Sequence, residues 1–526
     1  MSKDIIEQNG AIMKNFLCGI FAILFLTFAV FAQDANTQKK PHNKPDSLNI
    51  KPEEVTTEGS VTVEGQKINY KEVSGTIILK NDKEEPTCSM FYVAYFKKGA
   101  VDESHRPVTF FYNGGPGSSS MWLHMGAFGP KRVYSDDDKY PDPAPYKLVN
   151  NDYSLLDATD MVFIDAPATG FSRIVGKGKG KDFFGVDGDA NAFSQFITRF
   201  LTKFSRWNSP KYLFGESYGT TRSAVLSNIL QRRDDISLNG VILLSEILNF
   251  DTSPDGPSSN PGVDLGYSLS LPTMAATAWY HKKLPNQPKA LEPFLKDVEH
   301  FAVTDYTLAL MKGSELGEQE KESIAEKLHE YTGLSKDYIL KSNLRITGGQ
   351  FRKELQDDSD LTTGRLDTRF SGTTMDPLSE SAEYDPQSAA ISSAYVTLFN
   401  TYVREDLKFG KDQTYRPTAY QFTRPWDDKH RLPGRGSSPN SNVMQDLAMA
   451  MKYNPHLKIM LNSGYFDLAT PFYAAVYTMH HLPIPDDLQN NIEYYFYMSG
   501  HMVYVHPESL KKIHDNTAEF INKTHS

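Results

Sequence analysis

The chain has 526 residues, 39% hydrophobic and 12% aromatic, enough to bury a sizeable core and too many for the simplest single domain. A formal net charge of -10 and a pI near 5.8, with both signs mixed along the chain, exclude the basic footprint that nucleic-acid binding requires. One core domain carrying a large insertion is expected.

At the N-terminus Lys14 precedes a nearly unbroken apolar run from Phe16 to Phe31, and Val30-Phe31-Ala32 puts small or compact residues where a signal peptidase reads. Residues 1–32 therefore read as a secretory signal peptide cleaved near Ala32, with Met13-Lys14-Asn15 as an alternative start. The run is shorter than the about 18 residues of a membrane span, and no later segment is apolar enough, so no stable membrane insertion is expected after cleavage. Cys18 leaves with the signal and Cys88 alone remains, which excludes an intramolecular disulfide and a cysteine-based metal site. Export without disulfides fits a bacterial periplasmic or extracellular protein.

Residues 33–58 are polar, rich in Lys, Pro, Asn and Thr, and read as a disordered linker. Residues 59–250 read as the first part of an α/β core. Gly75–Leu79 and Met90–Phe96, separated by the charged Asn81–Glu85 turn, are expected as antiparallel strands, and Pro107–Tyr112 as a further strand ending in a Gly-rich loop. The short apolar runs Asp160–Ile164, Tyr212–Phe214 and Gly240–Leu244 suit a buried parallel sheet. Amphipathic stretches such as Asp189–Phe204 between them give the strand-helix alternation of a doubly wound fold. The pattern is lost from 251 to 393, where a Pro/Ser/Gly-rich loop and helical segments such as Gln319–Tyr331 read as an inserted, mainly helical cap. Residues 394–526 complete the core, with strands at Leu457–Leu461 and Ile492–Tyr497 and a closing helix over Lys511–Asn522.

The chemistry concentrates where strands end. Gly215-Glu216-Ser217-Tyr218-Gly219 joins the Tyr212–Phe214 run to a helix-compatible stretch, Thr221–Leu230, which is the sequence form of a nucleophile elbow. The loop after Leu461 carries Asp467 and the loop after Tyr497 carries His501, so chain order and strand-end placement match an α/β-hydrolase triad. In that reading Ser217 attacks, His501 takes and returns the proton, and Asp467 holds the imidazole tautomer and stabilises its charged form. Singly, a serine in a Gly-rich turn is a turn residue and a loop aspartate a helix cap; the order and placement of all three select the triad. His480-His481 and His506 lack metal-ligand spacing and read as structural or surface residues. The loop Asn113-Gly114-Gly115-Pro116-Gly117-Ser118 lets backbone N–H groups approach a developing oxyanion. A phosphate loop is excluded there, because no Gly-Lys-Ser/Thr ending follows and Pro116 removes a donor.

These blocks together resemble the serine carboxypeptidases, closest to bacterial exported members: Asn113–Ser119, Asp165–Ser172, Gly215–Gly219, Gly464-Tyr-Phe-Asp467 with Pro471, and Gly500-His-Met-Val503, in family order, with Leu271–His281 also similar. The resemblance implies an α/β-hydrolase fold with a helical insertion over the active site. It implies that the N–H groups of Gly115 and Tyr218 form the oxyanion hole and that Asn113 and Glu216 bind the free C-terminal carboxylate of a peptide. Glu216 can hold a second carboxylate only if the pair shares a proton, so acidic pH should favour peptidase activity.

Four positions depart from the better-known eukaryotic pattern. Ser118 replaces a cysteine; Phe111 replaces a tryptophan and is expected to keep an apolar wall; Ala127 stands where a second acid is expected, before Gly129-Pro130; and Tyr465 replaces an aspartate. The expected function is a serine-type carboxypeptidase acting on peptides with a free C-terminus, without metal or organic cofactor. The alternatives are an esterase or acyltransferase on the same triad, or a non-catalytic envelope binding protein, which an intact triad argues against.

Overall fold

The computed structural model describes residues 50–100, 105–432, 436–438 and 441–525. The segment read as a signal peptide and residues 33–49 of the expected linker lie outside these. Nine strands run in one path: β1 (Glu54–Val63), β2 (Gln66–Lys80), β3 (Pro86–Lys97), β4 (Val108–Tyr112), β5 (Asp160–Ile164), β6 (Lys211–Glu216), β7 (Gly240–Leu244), β8 (Lys458–Gly464) and β9 (Ile492–Tyr497). Their spatial order is β1-β2-β3-β5-β4-β6-β7-β8-β9, with the short pair Arg173–Ile174 added to β3. From β5 to β9 every neighbouring pair is parallel, whereas β1, β2, β3 and β5 pair antiparallel.

β1 corrects the linker expectation. Residues 54–58 pair with β2 from Glu54↔Gly75 to Glu58↔Lys71. On an edge strand most side chains face water, so Glu and Thr suffice and no apolar alternation marks the segment.

The parallel strands are apolar because both faces are covered. In β6, Tyr212 and Phe214 enter one core and Leu213 the other; in β7, Ile242 and Leu244 oppose Val241 and Leu243. One face receives α1 (Val186–Lys203), whose Phe193, Phe196, Ile197 and Phe200 recur at helical spacing, together with α2 (Tyr218–Arg232). Farther along the chain come α3 (Leu265–Tyr280), α4 (Leu291–Phe301), α5 (Glu318–Thr332), α6 (Pro386–Glu405), α7 (Met444–Tyr453), α8 (Phe472–His480) and α9 (Pro507–Thr524). The opposite face of the sheet packs on α6 and α9 through Tyr395, Phe399, Ile513 and Phe520.

Helices α3 to α5 build a third core, joined to the sheet by Phe466, Leu468 and Phe472 from the segment after β8. Within 251–393 the short strands Leu361–Thr363 and Ser371–Thr373 pair with each other, and α6 runs across the boundary expected at 393. Among the described residues no helix is long and apolar enough to cross a membrane, and no cluster of three or more His, Cys, Asp or Glu could hold a metal ion.

Candidate active site

β4 sits between β5 and β6, so the chain leaves β4 toward one side and returns on the other, the topology at which open α/β sheets form a crevice. Tyr112, the last residue of β4, lies opposite Gly215 of β6. The loop Asn113–Gly115 therefore emerges beside Glu216 and Ser217. The approach is so close that a Cβ on Gly114 would fall 2.4 Å from Tyr218 N and 2.8 Å from Glu216 O. Only glycine fits there, and its bare backbone brings the N–H of Gly115 and the start of α2 to one place. The first N–H groups of a helix have no intrahelical acceptor and point out of its end.

Ser217 turns the chain from strand to helix at φ 61° and ψ −130°, a strained conformation for a residue with a side chain. Its N–H donates to Leu244 O at 2.9 Å, anchoring the elbow on β7. Beneath it, fully buried Arg222 of α2 pairs with Asp189 at 2.6 Å and donates to Asn113 O at 2.8 Å, tying the elbow helix, α1 and the β4 loop together.

Asp467 and His501 come from the turns after the adjacent strands β8 and β9. Asp467 Oδ1 accepts the N–H groups of Ala469 and Thr470, both at 2.9 Å, and its Oδ2 accepts the Thr470 hydroxyl at 2.6 Å and meets His501 Nδ1 at 2.7 Å. His501 is buried. Burial disfavours its cation, but the charge and hydrogen bond of Asp467, with Glu216, outweigh that and raise its pKa. Neither Ser217 Oγ nor His501 Nε2 makes a hydrogen bond among the described residues, although both residues line one cavity of about 360 Å³. Such contacts commonly tighten only when substrate is bound.

Glu216 is buried and lines the same cavity. Its pKa is pushed up to about 7, mainly by burial and slightly by Asp467, against the opposing effects of His501, Tyr504 and Asn113. Asn113 Oδ1 accepts the Leu123 N–H at 3.1 Å, which leaves its Nδ2 for the Glu216 and Tyr504 side.

Ser217, His501, Gly115, Asn113 and Glu216 thus line one cavity, with Asp467 directly behind His501 and Tyr218 opening the helix beside it. Phe111 does not belong to the wall. It is fully buried in the core, its ring 4.9 Å from Phe163 and 5.2 Å from Phe214, because the second residue before Asn113 still lies inside β4. The indole on the cavity is Trp122, whose Nε1 donates to Ser118 Oγ at 3.0 Å.

Other residues of the site have no mark in the sequence. Arg365 and Leu366 reach the cavity from the 251–393 segment, and Leu366 O accepts the His501 N–H at 2.6 Å. Asp367 accepts Gly500 N–H at 3.2 Å and is itself clamped by Arg369 at 2.6 Å. Gly500 is required, since a Cβ there would lie 2.4 Å from Leu366 O. Thr418 and Tyr420 close another side. These contacts join distant parts of the chain, so no local spacing announces them. Tyr504, three residues after His501, and Trp122, three residues after the Asn113–Ser119 block, are those that proximity to a motif could have flagged.

Residues 63–505 match the family model described as serine carboxypeptidase. Among curated proteins, the chain is 25% identical over 193 residues, 36% of its length and 37% of the relative's, to serine carboxypeptidase-like 36 of Arabidopsis thaliana. It is 37% identical over 139 residues, 26% of its length and 25% of the relative's, to a carboxypeptidase Y homolog of Arthroderma benhamiae. The aligned part therefore spans well under half of these relatives. A prohormone-processing carboxypeptidase from Saccharomyces cerevisiae superposes with a TM-score of 0.54 at 17% identity, covering 86% of this chain and 92% of that one, a likeness of fold.

Proposed function

Because this chain belongs to the serine carboxypeptidase family, we propose that it removes residues from the carboxyl end of peptides through an acyl-enzyme on Ser217. Ser217 Oγ attacks the last peptide carbonyl and His501 accepts its proton, then returns it to the departing amine. Asp467 holds the Nδ1–H tautomer and stabilises the imidazolium. The N–H groups of Gly115 and Tyr218 receive the developing oxyanion, and water enters by the same route to release the shortened peptide. Asn113 and Glu216 hold the substrate's terminal carboxylate. The helical segment 251–393 acts as a cap, and the apolar N-terminal run directs export, to the periplasm or the outside of a bacterial cell.

The observation that carries this reading is the buried Glu216 side chain, adjacent to Ser217 on the same cavity and engaged by Tyr504, where burial pushes its pKa up to about 7. Two carboxylates would repel, whereas a neutral Glu216 donates to the substrate anion. The competent form therefore has a proton on Glu216 and none on His501, a one-proton state of a coupled pair. Carboxypeptidase activity falls on the acid side as His501 is protonated and on the alkaline side as Glu216 ionises near pH 7.

The test compares kcat/KM for an N-blocked dipeptide and for its C-terminal amide from pH 5 to 8. Preference for the free acid should reach roughly 100-fold below neutrality, the worth of charge-assisted hydrogen bonds, and shrink above pH 7. Equal rates throughout would overturn carboxylate recognition.

A further inference from the structure

The Tyr504 hydroxyl donates to Glu216 Oε2 at 2.9 Å. The side chain is 2% exposed and projects from the short turn Val503–Val505, directly after the His501 loop. Its ring lies against the backbone of the turn Leu123–Phe128: a Cβ on Gly126 would come within 2.4 Å of Tyr504 Cε2 and 2.6 Å of Tyr395 Oη. The following residue is the buried Ala127, where the family resemblance led to the expectation of a second acid. A phenol that packs on the turn carrying Ala127 therefore donates to Glu216.

We infer that Tyr504 is a positioning residue for chain-end recognition, its hydroxyl orienting the Glu216 carboxyl in place of a second acid, so that recognition turns on one titrating carboxyl instead of a proton shared between two. The inference rests on the reading of Glu216 as the carboxylate-binding group.

Two adjoining carboxyls would titrate in separated steps, the first proton lost well below neutrality. A phenol behaves differently. Burial, then the Glu216 charge, push the Tyr504 pKa far above its ordinary value, so the group keeps its proton and acts as donor at any working pH. With Oε2 engaged by Tyr504, the proton of neutral Glu216 is carried by the other oxygen. Donation from Tyr504 favours the ionised form and so works with Asn113 and His501 against burial and Asp467. The remaining polar neighbours are Tyr395 of α6, with Arg132 acting on it, and Arg365 on the cavity wall. The result is a single carboxyl that burial holds protonated to near-neutral pH, while the Tyr504 donor orients it and keeps it from titrating still higher.

Tyr504→Phe removes the donor and keeps the ring. Losing a donor to the anion raises the Glu216 pKa, so the alkaline limb of kcat/KM for the blocked dipeptide should move up by about one to two pH units. KM for the dipeptide at pH 6 should rise roughly tenfold, with kcat changing less. The limb measured with the C-terminal amide should stay where the parent protein has it. Placing 3-fluorotyrosine at position 504 alone keeps the shape, strengthens the donor and should move the dipeptide limb down; it carries the test if Tyr504→Phe does not fold. A limb that stays put in the folded variants, or that moves equally for dipeptide and amide, overturns the role of Tyr504. Absence of any preference for the dipeptide in the parent protein overturns the underlying reading of Glu216 and this inference with it.

Discussion

His501 and His430 are both buried against aspartates, and the contrast between their surroundings separates a base from a tie. His501 engages Asp467 through Nδ1 at 2.7 Å and turns its remaining edge to the cavity. His430 has both nitrogens occupied, Nδ1 by Asp187 and Nε2 by Asp446, each at 2.7 Å, and Asn228 donates to the other Asp446 oxygen at 2.7 Å. Burial opposes the His430 cation, but the two carboxylates outweigh it and bring its pKa up to about 9. A histidine saturated in this way has no atom left for proton transfer. What it does is bind the segment around 415–432 to α1 and α7, and that segment delivers Thr418 and Tyr420 to the cavity. One aspartate orients an imidazole and leaves it usable; two immobilise it as a cation.

The contrast can be broken most severely at the cavity. Ser217→Ala should lower kcat by on the order of 10⁶ in a dipeptide assay, with the unfolding midpoint little changed. Retained turnover would refute the nucleophile.

Asp467→Asn should cost about 10⁴ in kcat, because the amide favours the wrong imidazole tautomer, and should leave KM near the parent value. If the loss appears in KM instead, Asp467 shapes the cavity and does not orient the base.

The smallest effect is expected at His430. His430→Gln should leave kcat near the parent's while lowering stability by on the order of 1–3 kcal/mol at pH 6, discounted because Asp187 is half exposed. The sign with pH follows from a folded pKa of about 9 against an unfolded value near 6.5. The stabilisation is complete below pH 6.5 and is lost as pH rises through 9. Unfolding midpoints of parent and variant should therefore converge between these limits, and a constant gap would show that His430 does not act as a cation.

Much of the sheet was legible because it is buried on both faces. Asp160–Ile164 and Gly240–Leu244 are expected and observed at the same boundaries, since continuous apolar runs have no other use in such a chain. The helix read over Gln319–Tyr331 is Glu318–Thr332, marked by its exposed charged face. α3 was not legible as a helix: nearly every residue from Gly266 to Ala278 is buried, so it lacks the polar face that gives a helix its period. β1 was hidden for the opposite reason, having too little buried on either side.

What the sequence by itself determined was the local chemistry. Gly215–Gly219 encodes a strained turn within a few residues, Gly114 and Gly115 encode a bare backbone, and the ends of successive strands name Asp467 and His501, all through short-range constraints of covalent geometry and sheet topology. What only the tertiary structure decided was which distant groups meet there. Tyr504 on Glu216, Leu366 on the His501 backbone, Trp122 instead of Phe111 on the wall, and His430 spent between two aspartates all depend on contacts across tens to hundreds of residues. Packing and desolvation act on whatever the fold brings within a few ångströms, and no spacing along the chain carries that information.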